Sequence, residues 1–200
     1  MDAITLLHRR NSSPKLREPA PEGEALENMF KAALRAPDHA WLRPWRFLTI
    51  TGEARNELGR LMVKATQLRK QQAGEPAMTE EEIAKLAAKP LRAPLIITVI
   101  ASIKEHPKVP AVEQVISAGC AAHSLLLAAH AQGFAGVWRT GTNAFDTTVM
   151  QGLGLAPNEE IVGFLYLGTV EGNYKPLREL SVSDYAQSWT SITLSGSDHD

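Results

Sequence analysis

The chain has 200 residues, 44% hydrophobic and 22% charged, and its 21 Lys and Arg almost balance its 22 Asp and Glu. That length and apolar content can close one core without metal or disulfide staples, and the near-neutral charge offers no basic stripe for a nucleic-acid backbone. A single cysteine, Cys120, excludes an intrachain disulfide framework and fits a reducing compartment.

At the N-terminus the apolar residues precede Arg9 and Arg10, and no long apolar run or small-residue cleavage site follows, so no secretion signal is evident. The expectation is a soluble cytoplasmic protein with neither a membrane nor a nucleic acid as partner. Ile4, Leu6 and Leu7 predict a short helix ending near Arg9-Arg10, before the loop Asn11-Ser12-Ser13-Pro14. Residues 22–36 carry Ala25, Leu26, Met29, Ala32, Ala33 and Ala36 on one helical face, and Pro37 stops them. Residues 45–51 alternate as a strand closed by Gly52, and residues 53–70 form a helix. A mobile polar linker follows at 71–78, and Thr79 with Glu82 has the form of a capping box for a helix ending before Pro90.

The continuous apolar run 95–101 predicts a strand covered on both faces. Residues 112–132 form the longest helix, rich in Ala, Gly and Ser and therefore open to close approach by other backbones, with Gly133 as its left-handed stop. A short strand at 135–141, a small helix at 145–152 and a last strand at 161–169 complete the pattern, and neither apolar strand run is long enough to span a bilayer. Beyond 170, Tyr174, Leu177, Leu180, Tyr185 and Trp189 need a surface to cover, which a partner subunit would provide. One domain is expected over 1–194, with a disordered tail at 195–200.

Two segments concentrate chemistry. Arg9-Arg10-Asn11-Ser12 sets guanidinium forks beside an amide and a hydroxyl, a composition suited to phosphate oxygens, although two arginines ending a surface helix are more often a solvated face that offsets the helix dipole. The stiff loop 35–47 holds Arg35, His39, Trp41, Trp45 and Phe47. There Trp45 and Phe47 read as core, Trp41 as either a rim aromatic or the wall above a planar substrate, and His39 alone as a loop residue satisfying carbonyls. His123 and His130 lack a third ligand at metal-binding spacing, Cys120 lacks an adjacent base, and Gly152-Leu153-Gly154 lacks the third glycine of a dinucleotide fingerprint, so metal, thiol and Rossmann sites are not expected.

In order along the chain stand Arg9-Arg10 with Ser12, Ala36-Pro37-Asp38-His39 with Pro44-Trp45 and Phe47, Ser117-Ala118-Gly119-Cys120, the run 132–141, and the run 161–169. This series resembles the nitroreductase family, and within it the small, single-domain YdjA-like branch, over roughly residues 1–169. The resemblance implies an α+β fold with a mixed β-sheet flanked by helices, a homodimer, and FMN at the dimer interface. It implies that Arg10, Asn11 and Ser12 contact the phosphate and ribityl chain with Arg9 beside them, that Arg35 and His39 contact the flavin, and that Trp138, Arg139 and Thr140 form a second flavin segment from the other subunit. It assigns Ala128, Ala129, His130, Ala131, Gln132 and Gly133 to the nicotinamide nucleotide. The chain departs from the family pattern at His39 and Arg43, where many members carry Asn and Gln, and at Asn11, where the usual residue is Ser.

The implied activity is that of an FMN-dependent oxidoreductase. NADH or NADPH reduces the flavin and leaves, and a nitroaromatic, quinone or similar small acceptor then takes two electrons in the same pocket. No catalytic acid is required, because the flavin carries the hydride chemistry and the protein supplies binding and electrostatics. The competing expectation is a flavin-binding regulatory or storage protein without turnover.

Overall fold

The computed structural model describes residues 2–190; the tail expected at 195–200 lies outside the described residues. Chain order is α1 (Ala3–Arg9), β1 (Leu16–Arg17), α2 (Gly23–Ala33), β2 (Trp45–Thr51), α3 (Ala54–Gln72), α4 (Glu80–Ala87), β3 (Leu95–Ser102), α5 (Ala111–Ala131), β4 (Ala135–Arg139), α6 (Thr147–Gly152) and β5 (Glu159–Val170), with short 3-10 turns at Lys89–Arg92, Thr142–Phe145 and Val182–Asp184. The Thr79 capping box is formed, with Glu82 N–H donating to the Thr79 hydroxyl and Thr79 N–H to the Glu82 carboxylate. Helix α2 stops one turn earlier than its apolar pattern suggests. Leu34, Arg35 and Ala36 form a turn there, in keeping with the bias of a residue before proline away from helical backbone.

β5 is the spine of the sheet. It pairs antiparallel with β3 along one edge, with β4 along the other, and with β1 at its C-terminal end, while β2 pairs antiparallel with the far edge of β3. The parallel component of this mixed sheet is a bridge between Ser12 and Gly136, reinforced by Ser13 N–H donating to the Gly136 carbonyl at 3.1 Å. The N-terminal loop is thereby laid along the outer edge of β4.

Side chains of β3 alternate between two cores. Leu95, Ile97, Val99 and Ala101 face α2 and α5, where Met29 and Ala33 meet Ala118, Ala122, Leu125 and Ala129. Ile96 faces the other way, toward Leu58, Met62 and Ala65 of α3, Leu86 of α4 and Val149 of α6. Helices on both faces account for the unbroken apolar run even though the strands are antiparallel. The length and composition of α5 would suit a membrane span, but its apolar face is buried against α2 and the sheet, so it is a core helix.

Arg46 on β2 grips Glu159 at the start of β5 through Nε to Oε1 at 2.8 Å and Nη2 to Oε2 at 2.6 Å. That guanidinium, working against burial and helped by the Ala156 N–H, brings the Glu159 carboxyl from 4.5 down to about 2. A folded-state value below the unfolded one stabilises the protein above the unfolded value and is lost as pH falls toward the folded one. Urea unfolding should therefore show stability declining between about pH 4.5 and pH 2, and Glu159→Gln should decline less over that window. Parallel curves for the two proteins would count against this role.

Candidate functional site

The strand that carries Trp138 and Arg139 ends in a cleft. Its volume is about 630 Å³, within the range of small-molecule sites, and it lies between β4, β5, α3, α4 and the turn Lys89–Arg92. Met62, Leu86, Phe164 and Tyr166 give it apolar walls, while Lys85, Lys89, Arg92 and Arg139 line it with cations. Thr140, Gly141, Thr142 and Asn143 complete the β4 side.

This wall is braced from behind. Asp146 accepts hydrogen bonds from the N–H groups of Thr148 and Val149 and is ion-paired to Arg69 of α3, which also donates to Thr66. Burial alone would push the Asp146 carboxyl up, but the guanidinium and the two N–H donors hold it below its ordinary value. The pair thus ties the 142–146 turn to α3.

Trp138 is fixed by a β-bulge. The pairing of β3 with β5 shifts between Val99 and Ile100, so Val99 lies opposite Gly163 and Ile100 opposite Ile161. The Val162 carbonyl is left to accept the Trp138 indole N–H at 3.3 Å. A Cβ on Gly163 would coincide with that indole. Gly163→Ala should therefore displace Trp138 and cost about 1–3 kcal/mol, read as a lower melting temperature with altered tryptophan emission; a variant with wild-type values for both would refute the packing argument.

Two buried polar atoms of cleft-lining residues have no hydrogen-bond partner among the described residues: Arg139 Nε, a donor, and Asn143 Oδ1, an acceptor. Buried groups of this kind ordinarily find partners, so this donor and acceptor in residues of the cleft wall leave hydrogen-bonding capacity for a ligand. The Arg139 guanidinium also sits 5.8 Å from the Tyr166 ring centroid. Burial raises the Tyr166 phenol, opposed by Arg139 and Arg92.

At the end of the Arg9 to Ser12 segment, Ser12 lies at the outer edge of β4 beside Gly136, two residues before Trp138 in the same chain. Asn11 is committed to loop structure: its Oδ1 accepts from Ser12 N–H and its Nδ2 donates to the Lys175 carbonyl. Burial first, and then the charges of Arg10 and Arg9, hold His130 below its ordinary value, while the Tyr174 ring meets it edge-on at 6.2 Å. Lys175 and Tyr174 join this corner because Glu171 N–H donates to the Lys15 carbonyl, a link the irregular tail did not advertise.

Arg35, His39 and Trp41 do not line the cleft. They occupy an exposed loop in which Ala40, Trp41 and Arg43 have φ of 56°, 57° and 47°, a left-handed conformation costing about 1–2 kcal/mol per residue. Asp38 accepts from Arg43 N–H, Lys104 donates to the Leu42 carbonyl, and His39 Nδ1 lies 2.7 Å from Glu113 Oε1 at the start of α5. Trp41 stands 81% exposed, with the Arg43 guanidinium 5.4 Å from its ring centroid.

Residues 128–133 close α5. Ala129 is fully buried, and Gln132 donates to the Ala25 and Ala128 carbonyls. Gly133 takes φ 84° as the helix stop. Ala131 and Gly133 are exposed, and Ala128, His130 and Gln132 are half-buried. Sequence reasoning missed Lys85, Lys89, Arg92 and Asn143. The first three could have been noticed by their i, i+4, i+7 spacing, which places them along one side of consecutive turns.

The molecule is thus an α+β protein with helices on both faces of a mixed sheet and a ligand-sized cleft at the end of an edge strand. It belongs to the nitroreductase family, whose model matches residues 7–169. It is 44% identical over 169 residues, 84% of this chain and 88% of the relative, to the Escherichia coli (strain K12) protein named "Putative NAD(P)H nitroreductase YdjA". A nitroreductase-like family protein from Bacillus cereus shares the fold with a TM-score of 0.77 at 21% identity, over 94% of this chain and 95% of that one. The FMN-dependent nitroreductase NfnB from Mycobacterium smegmatis, solved in complex with NADPH, has a TM-score of 0.70 at 17% identity, over 94% and 98% of the two chains.

Proposed function

We propose that this chain is an FMN-dependent oxidoreductase that takes two electrons from NADH or NADPH and passes them to a small conjugated acceptor such as a nitroaromatic or quinone, working as a homodimer. The observation that carries the reading is the unpaired donor and acceptor in the cleft wall, Arg139 Nε and Asn143 Oδ1. They fit the carbonyl and N–H groups on the polar edge of a flavin ring. The YdjA relative's name supplies the NAD(P)H donor, and NfnB's FMN dependence is in keeping with the cofactor.

The phosphate would be held by Arg10 and Ser12 with Arg9 beside them, because charged forks and a hydroxyl at a chain edge suit a dianion. Ser12 lies beside Gly136, and three residues of strand, about 10 Å, separate Gly136 from Arg139, a span one elongated ligand can bridge. Bound FMN would supply two-electron chemistry at its ring. Around it Phe164, Tyr166 and Leu86 exclude water, Trp138 shapes the strand end, the Thr140 segment flanks the ring, and the Arg139 charge favours the accumulation of negative charge there. For a quinone the balance is NAD(P)H plus a proton plus quinone giving NAD(P)+ plus hydroquinone.

The homodimer is supported by exposed apolar side chains on separate elements: Ile4 and Leu7 on α1, Val112 and Ile116 on α5, and Leu180 and Trp189 in the tail. In that assembly Arg35, His39 and Trp41 would serve the partner's flavin, with Trp41 as a wall over its substrate. Ala128 to Gly133 remain the candidate segment for the nicotinamide nucleotide, with Ala131 and Gly133 its exposed positions.

Anaerobic addition of NADH or NADPH to FMN-loaded protein should bleach the flavin absorbance, and a nitroarene or quinone should restore it. Bound flavin that neither nucleotide bleaches would favour a storage or regulatory role instead, and failure to bind FMN would overturn the proposal.

A further inference from the structure

The cleft holds more positive charge than the proposed cofactor uses. Lys85, Lys89, Arg92 and Arg139 all line it, and none has a carboxylate within ion-pair distance among the described residues. Arg69 is neutralised by Asp146. The one acidic lining residue, Glu82, is occupied by the Thr79 N–H of its capping box. Cations gathered over apolar walls such as Phe164, Tyr166 and Leu86 focus a positive potential and concentrate anions.

Resting on the flavin reading, the phosphate lies at Arg10, outside this cleft, and an oxidised ring entering it is neutral. With Arg139 serving the reduced ring, the charge of Lys85, Lys89 and Arg92 is left for a second ligand. Nicotinamide dinucleotides are anionic too, but their phosphates are separated by a ribose from the ring that must stack on the flavin. An anion among Lys85, Lys89 and Arg92 belongs instead on the acceptor, whose own ring must stack on the flavin in this cleft. We propose that this site selects acceptors carrying a carboxylate or similar anionic substituent on the conjugated ring that is reduced, with Lys85, Lys89 and Arg92 as the specificity-determining residues.

The probe pair is 4-nitrobenzoate and its near-isosteric neutral partner 4-nitrobenzamide, assayed on FMN-loaded protein with the bleaching rate by NADPH recorded on the same preparation. One charge-assisted contact predicts a kcat/KM about tenfold higher for the acid than for the amide at low salt. The ratio should shrink as ionic strength rises and approach one in Lys85→Gln and Lys89→Gln. A wild-type ratio near one, with normal bleaching, overturns this inference and leaves the flavin reading intact. A salt or variant effect confined to the bleaching step also overturns it, since the cations would then serve the donor. Protein that binds no flavin, or is not bleached, overturns the flavin reading and this inference with it.

Discussion

Asp146→Ala is expected to destabilise the protein by about 3 kcal/mol, the lower end of the cost of breaking a buried ion pair by removing one partner. The Asp146 side chain is only 5% exposed and Arg69 is 32% exposed, so the abandoned guanidinium recovers part of its hydration and the upper end is not reached. Loss of the cap on the Thr148 and Val149 N–H groups adds to the cost. Asp146→Asn, which keeps an oxygen for the cap but loses the charge, should fall between the two in a urea titration. Because the same side chain anchors the turn bearing Asn143, FMN affinity should drop along with stability. A loss below about 1 kcal/mol would mean that Arg69 and Asp146 behave as a solvated surface pair.

Arg10→Ala should act in the opposite sense, on the ligand and not on the fold. Arg10 caps α1 through its backbone N–H, which donates to the Leu6 carbonyl and survives the substitution. What disappears is the guanidinium proposed to hold the phosphate, and one or two charge-assisted hydrogen bonds correspond to roughly a 10- to 100-fold rise in the Kd for FMN. Titration of apo-protein by flavin fluorescence quenching measures it, with a melting curve as the control. Unchanged flavin affinity with Arg10→Ala, and a loss with Arg9→Ala, would shift the cradle by one residue.

Much of the scaffold was legible because local rules and tertiary context agree. The period-two pattern of residues 45–51, the Thr79 capping box and the unbroken apolar run of β3 each specify an element that the fold then uses. The small residues of α5 were readable as an invitation to close packing, and Met29 and Ala33 of α2 take it up. Legibility ended where distant segments meet. Arg46 and Glu159 are 113 positions apart, and Arg69 and Asp146 are 77 apart; no periodicity links either pair.

The candidate site divides along the same line. The Arg9 to Ser12 and Trp138 to Thr140 segments were visible as motifs, and the bridge from Ser12 to Gly136 sets them along one strand. The cation row from α4 and the following turn was hidden because Lys85, Lys89 and Arg92 read as an ordinary solvated helix face until the cleft beneath them is seen. The left-handed backbone at Ala40, Trp41 and Arg43 had no glycine to announce it.

In the proposed complex the cleft between β4, α3 and α4 would receive the flavin ring and the Arg10 loop the phosphate. A crystal structure of the FMN-loaded protein tests it most directly. Ring density is expected in the cleft lined by Arg139, Asn143 and Tyr166, with the phosphate beside Arg10 and Ser12. A flavin bound elsewhere, leaving Arg139 Nε and Asn143 Oδ1 unpaired, would contradict it.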